Sequence, residues 1–190
     1  MKEAIPYQIH GYRNGHQLLE ASARLARRDQ DTVDRLSDMA GPLRPGEIFN
    51  PYLTAYPLPS RSHFVFARTW QDTEAPRAGC VLTKSLLIPM SLWERLDSFE
   101  GLFSELDHLP HDESAKFIQP TYAEDCSLPR VLDPRTVELI EAMFLEGRQP
   151  IVFFESQEAD SIVKRLLLAL WPSLRRNFAV CSFSLAPRKI

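Results

Sequence analysis

The sequence predicts an α+β fold: a mostly antiparallel sheet with helices packed on it. Two observations carry this. Asn14-Gly15 lies between apolar segments at residues 5–9 and 18–19, a strong hairpin signal because both turn residues must tolerate φ > 0. Three strand-like runs then follow at residues 52–58, 63–70 and 79–87. Their joins are too short for parallel crossovers.

The hairpin occupies residues 5–20. Asp29 is expected to cap a helix, since Val33, Leu36 and Met39 recur at helical spacing and Gly41 can stop it. Pro42, Pro45 and Gly46 mark the loop that leads to the three strands. Pro57 and Pro59 lack N–H donors, so the first of these strands is expected to end there, at an edge or an exit. Pro89 and Ser91 introduce a helix carrying Leu92, Trp93, Leu96 and Phe99. Leu102, Phe103, Leu106 and Leu109 suggest a further short helix. Beyond them, Pro110, Pro120 and Pro129 read as a long irregular connection.

Regularity returns at Asp133-Pro134, an N-cap followed by proline at the first helical position. Val137, Ile140 and Phe144 line one face of that helix, Leu139 and Met143 widen it, and Gly147 ends it. Residues 151–154 are all apolar, as in a buried strand. Ser156 can cap a helix holding Ile162, Val163, Leu166, Leu167 and Leu170, which Trp171-Pro172 ends. Residues 178–184 form a last strand. The order is β-β-α-β-β-β-α, an irregular segment, then an α-β-α-β lobe. A β-α-β unit in that lobe would cross over right-handedly if its strands shared a sheet. The first seven elements follow the order of a longin-like domain, by fold analogy alone. The expected organisation is a single domain over residues 1–190, with a sheet-rich half at 1–100, the connection at 101–132 and the lobe at 133–190. The ending Ala186-Pro-Arg-Lys-Ile190, just after a strand, suggests the N-terminal part of a larger protein.

Composition narrows the class. The 190 residues are 44% hydrophobic and 25% charged, ordinary for a globular protein. A net charge of −3 disfavours nucleic acid or an anionic membrane as partner. Arg24, Arg27 and Arg28 form a short basic cluster, and Asp29 and Asp31 follow at once, so a solvated face is expected. Cys80, Cys126 and Cys181 are scattered and odd in number, against a disulfide framework. With no secretory leader pattern and no membrane-length apolar run, a reducing cytoplasm is the expected setting.

The chain carries no Walker, dinucleotide, nucleophile-elbow or zincin motif. No cofactor and no metal are expected. His108, His111, Asp112 and Glu113 form the densest metal-like cluster, but Pro110 breaks the face that would align them, and a polar loop tip is the preferred reading. Cys126 beside Glu124 and Asp125 has its thiolate disfavoured, against Cys-His catalysis.

The candidate site residues are Tyr12, Arg13, Asn14, His16, Arg68, Asp72, Arg77 and Lys84, all at or near strands and turns of the N-terminal half. In one reading some of them converge into a cationic pocket or docking face. Arginine forks suit carboxylate or phosphate, and Tyr12 at the hairpin tip supplies an amphipathic anchor. In the other they are internal: Arg68 pairs with Asp72, Arg13 with a carboxylate, and His16 with a backbone carbonyl. The internal reading is preferred for Arg68–Asp72, as ordinary strand-end architecture beside Trp70. For Arg13 and His16 both readings stand, because hairpin tips are where scaffolds place binding groups.

Four segments carry a resemblance: GYRNGHQLL at 11–19, PYLTAYPLP at 51–59, ARTWQD at 67–72 and RAGCVLTKSLL at 77–87, with a weaker echo in LWPSLRRNFAVCSFS at 170–184. Together they resemble the N-terminal domain of the bacterial GTPase-associated protein family. The resemblance implies a non-catalytic binding or scaffold module of a bacterial conflict or defence system. Its partner would be a protein, a GTPase or another subunit of that system. Lys84 departs from the pattern, standing where such segments carry histidine, and Leu185 stands where threonine is common. The rival expectation, from another class, is a hydrolase or nucleotide-processing domain using His16, Arg13 and Arg68.

Overall fold

A computed structural model of the chain describes residues 5–39, 41–44, 46–77, 79–108, 134–144, 150–153 and 158–186. Within them a six-stranded antiparallel sheet has the order β2-β1-β5-β4-β3-β6. Strand β1 is Tyr7–Tyr12, β2 His16–Ala21, β3 Tyr52–Pro57, β4 His63–Gln71, β5 Val81–Pro89 and β6 Val180–Cys181. The helices are α1 Arg27–Ser37, α2 Met90–Trp93, α3 Glu100–Leu106, α4 Pro134–Met143, α5 Ala159–Ala169 and α6 Pro172–Arg175. The α+β expectation holds, as does the order of the first seven elements.

The side-chain alternation of β3, β4 and β5 sorts the core onto two faces. On one face Leu53, Ala55, Phe64, Phe66, Leu86 and Ile88 meet Trp93, Phe103, Leu106, Val163 and Leu167 from α2, α3 and α5. Trp93 stacks on Phe64 with centroids 4.0 Å apart, and Phe66 meets Phe103 edge-on at 5.0 Å. On the other face Tyr56, Val65, Ala67 and Leu87 receive Val33 and Leu36 of α1. The sheet is therefore sandwiched between α1 and the later helices.

The hairpin turns as expected, with Asn14 at φ 61° and Gly15 at φ 139°. Tyr12 pairs with His16, so its loop holds three residues, Arg13, Asn14 and Gly15. Gly11 sits close beneath two leucine side chains. A Cβ there would lie 2.8 Å from Leu19 Cδ1 and 2.9 Å from Leu82 Cδ1.

Several local expectations are corrected. Helix α1 starts before Asp29, on Ala26 with no side-chain cap, and it ends at Ser37, before Met39. Asp29 instead points inward, 3% exposed, and accepts from Ser60 N and Ser60 Oγ at 3.0 and 2.5 Å. The helix after Pro89 is only four residues long, yet Leu92, Trp93, Leu96 and Phe99 are all buried as expected. The apolar face of α4 is not fully covered: Val137 and Phe144 are exposed. Residues 151–153 form no strand, and Ile151, Val152 and Phe153 are exposed. The last strand spans two residues rather than seven and runs antiparallel to β3, so the described residues contain no β-α-β crossover. An apolar run alone did not specify a strand there, because hydrophobicity without alternation carries no strand period. Asp133, Gly147 and Ser156 lie outside the described residues, as do Leu109, Cys126 and the group His111, Asp112 and Glu113.

Candidate functional site

Alternation along β1 turns Gln8, His10 and Tyr12 toward α1, and His16 joins them from β2. A helix normally meets a sheet there through apolar side chains. Here the join is polar. Gln8 exchanges amide hydrogen bonds with Gln30 at 2.8 and 3.0 Å. His10, fully buried, places Nε2 2.8 Å from Asp34 Oδ1. Ser37 Oγ donates to the Asp34 carbonyl at 2.9 Å, so its lone pair accepts from His16 Nε2 at 2.9 Å. Thr83 Oγ1 donates to the Ser37 carbonyl at 2.6 Å.

The two imidazoles stack at 6.1 Å with planes 18° apart. Burial pushes both below the ordinary histidine value; Asp34 raises both, and Asp38 also raises His16, without cancelling the burial. Both are therefore neutral near pH 7 with the proton on Nε2. His10 Nδ1 is left buried without a hydrogen-bond partner.

At the open end of this layer Tyr12, Gly15, His16, Asp38, Arg77, Gly79, Cys80 and Val81 enclose a cleft of about 180 Å³. Three of the residues expected from sequence, Tyr12, His16 and Arg77, thus come together. Arg13 and Asn14 stand exposed beside them at the turn. Among the described residues neither Arg13 nor Arg77 has a carboxylate within ion-pair distance.

Arg68 and Lys84 do not join them. They are cross-strand partners on the opposite face, where acidic groups of α3, the residue after it, and α5 absorb both. Arg68 bonds Asp107 at 2.6 Å and lies 3.5 Å from Asp160. Lys84, 4% exposed, binds the Glu105 carboxylate and donates to the Glu105 carbonyl at 3.0 Å. The expected Arg68–Asp72 pair is replaced by these. Asp72 Oδ1 instead accepts from Glu74 N and Ala75 N at 3.1 Å each, holding the β4–β5 turn. His16 bonds a serine hydroxyl rather than a carbonyl.

Sequence reasoning missed His10, Asp34, Ser37, Asp38 and Cys80. A signal existed for most of them. Gln8, His10 and Tyr12 are polar at strand period, and Gln30, Asp34 and Ser37 are polar at helical period. Two polar faces that match in this way can satisfy one another.

Residues 4–106, more than half of the chain, match the family model of GTPase-associated protein 1, N-terminal domain type 1. The chain belongs to this family. The matched segment contains the whole hairpin, α1, β3–β5 and the cleft, so the family's defining region and the candidate site coincide. No curated protein and no solved structure matches the chain. Among the described residues no helix is long and apolar enough to cross a membrane, and no group of three or more His, Cys, Asp or Glu side chains is placed to hold a metal ion.

Proposed function

We propose that this GTPase-associated domain is a non-catalytic docking module, and that it engages a protein partner through the hairpin end of its sheet. A GTPase, or another subunit of the same bacterial conflict or defence system, is the partner proposed. The observation that carries the reading is the grouping of Tyr12, His16 and Arg77 around a small cleft, with Arg13 and Asn14 exposed beside it. At about 180 Å³ the cleft is smaller than the roughly 300–1,000 Å³ of small-molecule sites. It suits one inserted side chain of a partner. Tyrosine and arginine are the residue types that most often anchor such interfaces.

The enzymatic alternative needs His16, Arg13 and Arg68 together. The sheet separates them: His16 faces α1, whereas Arg68 faces α3 and α5. His16 is also committed through Nε2 to Ser37.

The test compares Arg13→Ala, Arg77→Ala and Tyr12→Ala for retention of the native partner in quantitative affinity capture, with GTP hydrolysis of the captured material measured in parallel. Loss of partner at unchanged melting temperature is expected for all three. Full retention by all three would overturn the reading. Substrate turnover by the isolated chain that vanishes in His16→Ala would favour the enzyme instead.

A further inference from the structure

The sheet has two edges of unlike character. At one edge β6 is two residues long, and beyond it Ser182 closes onto Leu53 through both its backbone and its hydroxyl. At the other, β2 is six residues long. Among the described residues no backbone group pairs with the outer side of β2. Ser22 N donates inward to the Tyr7 carbonyl at 2.9 Å, so alternation along the chain turns the Ala21 N–H outward. No proline or lysine blunts this strand. Its protection is a register shift opposite Ile9/His10, which limits pairing to short, suitably bent partners.

Charge along the chain segment that forms this edge is mostly basic, while Asp34 and Asp38 act on His16 from the α1 side. Residues 5–28 hold Arg13, Arg24, Arg27 and Arg28 against a single acid, Glu20, in a chain whose net charge is −3. Glu20 accepts a hydrogen bond from the Tyr7 hydroxyl, a neutral donor. The four arginines are exposed, and none pairs with a carboxylate among the described residues. Asp29, which follows them in sequence, is turned inward onto Ser60 and does not screen them. Arg13 stands three residues before β2 and Arg24 three residues after it, so each end of the open edge carries a cation.

We propose that β2 is the docking edge for an extended acidic segment of a partner protein, which adds to the sheet as a seventh strand and sets its carboxylates against Arg13 and Arg24. This rests on the docking reading above and names its chemistry. Backbone pairing supplies a general affinity, and the flanking arginines select acidic sequences. A nucleic acid has the charge but no peptide backbone to continue the strand ladder.

The experiment screens a random ten-residue phage-displayed peptide library on the full chain. Enriched peptides are then measured on the parent, on Arg13→Glu/Arg24→Glu and on Ala21→Pro, with hydrogen exchange of the complex. Enrichment of acidic, β-branched peptides is expected, with the Ala21 amide newly protected. The charge-reversed variant should bind about tenfold or more weakly at low salt, and the difference should shrink as salt rises. Because Ala21→Pro can disturb the hairpin, the charge-reversed pair at exposed positions is the decisive variant. Peptides that bind the parent and that variant equally overturn the proposal. So does equal competition by single-stranded oligo-dT, the mark of a generic polyanion surface. Protection confined to Tyr12, His16 and residues 79–81 overturns strand addition while leaving the docking reading intact. Failure to enrich any peptide overturns the strand proposal, and the native-partner capture then decides the docking reading separately.

Discussion

Replacing Lys84 by methionine removes an ammonium and keeps most of the stem that crosses the sheet–helix interface. Lys84 is 4% exposed, and its Nζ serves Glu105 twice, through the carboxylate and the carbonyl. After the substitution the Glu105 side chain, 11% exposed, retains its charge and loses its counter-ion. The neighbouring Arg68 is already held by Asp107 and Asp160. Removing one partner of a buried ion pair costs about 3–5 kcal/mol. The residual exposure of Glu105 places this case near the low end, about 3 kcal/mol. For a chain of this size each kcal/mol moves Tm by about 2–4 °C, so a fall of roughly 6–12 °C is expected. The matched double variant Lys84→Met/Glu105→Leu leaves no orphaned charge and should return to within about 1 kcal/mol of the parent. Thermal and urea unfolding at pH 7 measure both. A single variant that melts within about 2 °C of the parent refutes the argument and restores Lys84 to the set of cations free for a ligand. A double variant no better than the single refutes it as well.

Three further outcomes are expected. Burial lowers the pKa of His10, His16 and His63 in the folded chain, so the unfolded chain binds more protons just below its own histidine pKa of about 6.5. Their contribution is fully present above about pH 6.5 and is lost as pH falls through the folded values; a urea midpoint that does not change between pH 7 and 5 would contradict this. His16→Ala should cost about 1–2 kcal/mol by leaving the Ser37 hydroxyl short of a donor, whereas Arg13→Ala should stay within about 0.5 kcal/mol of the parent; equal effects in denaturation would show that the tip is structural. Gly11→Ala should destabilise by about 1–3 kcal/mol, since its Cβ meets Leu19 and Leu82 below 3 Å; a variant as stable as the parent would show that those leucines move aside freely.

The amount legible in sequence differed with the kind of signal. Asn14-Gly15 announced the hairpin because φ > 0 is a local requirement that few residue pairs meet. Alternation with short joins announced β3, β4 and β5 for a similar reason. Residues 151–153 failed because hydrophobicity without alternation has no period, and a short apolar run of that kind is equally compatible with other structure. Asp29 misled because an aspartate near a helix start looks the same whether it caps that helix or reaches across to Ser60.

By itself the sequence determined the family, the antiparallel class, the order of the first seven elements and the presence of Tyr12, Arg13, Asn14 and His16 at one tip. These follow from near-neighbour constraints: turn dihedrals, side-chain period and loop length. The tertiary structure alone decided which charges are free. Arg68, Lys84 and Arg77 look alike along the chain. Strand pairing turns the first two inward against Glu105, Asp107 and Asp160, and leaves Arg77 at the cleft with His16. That division depends on which acids a helix some twenty to ninety residues away brings to each face of the sheet. Coulomb attraction and desolvation act on distance in space, and spacing along the chain does not encode that distance.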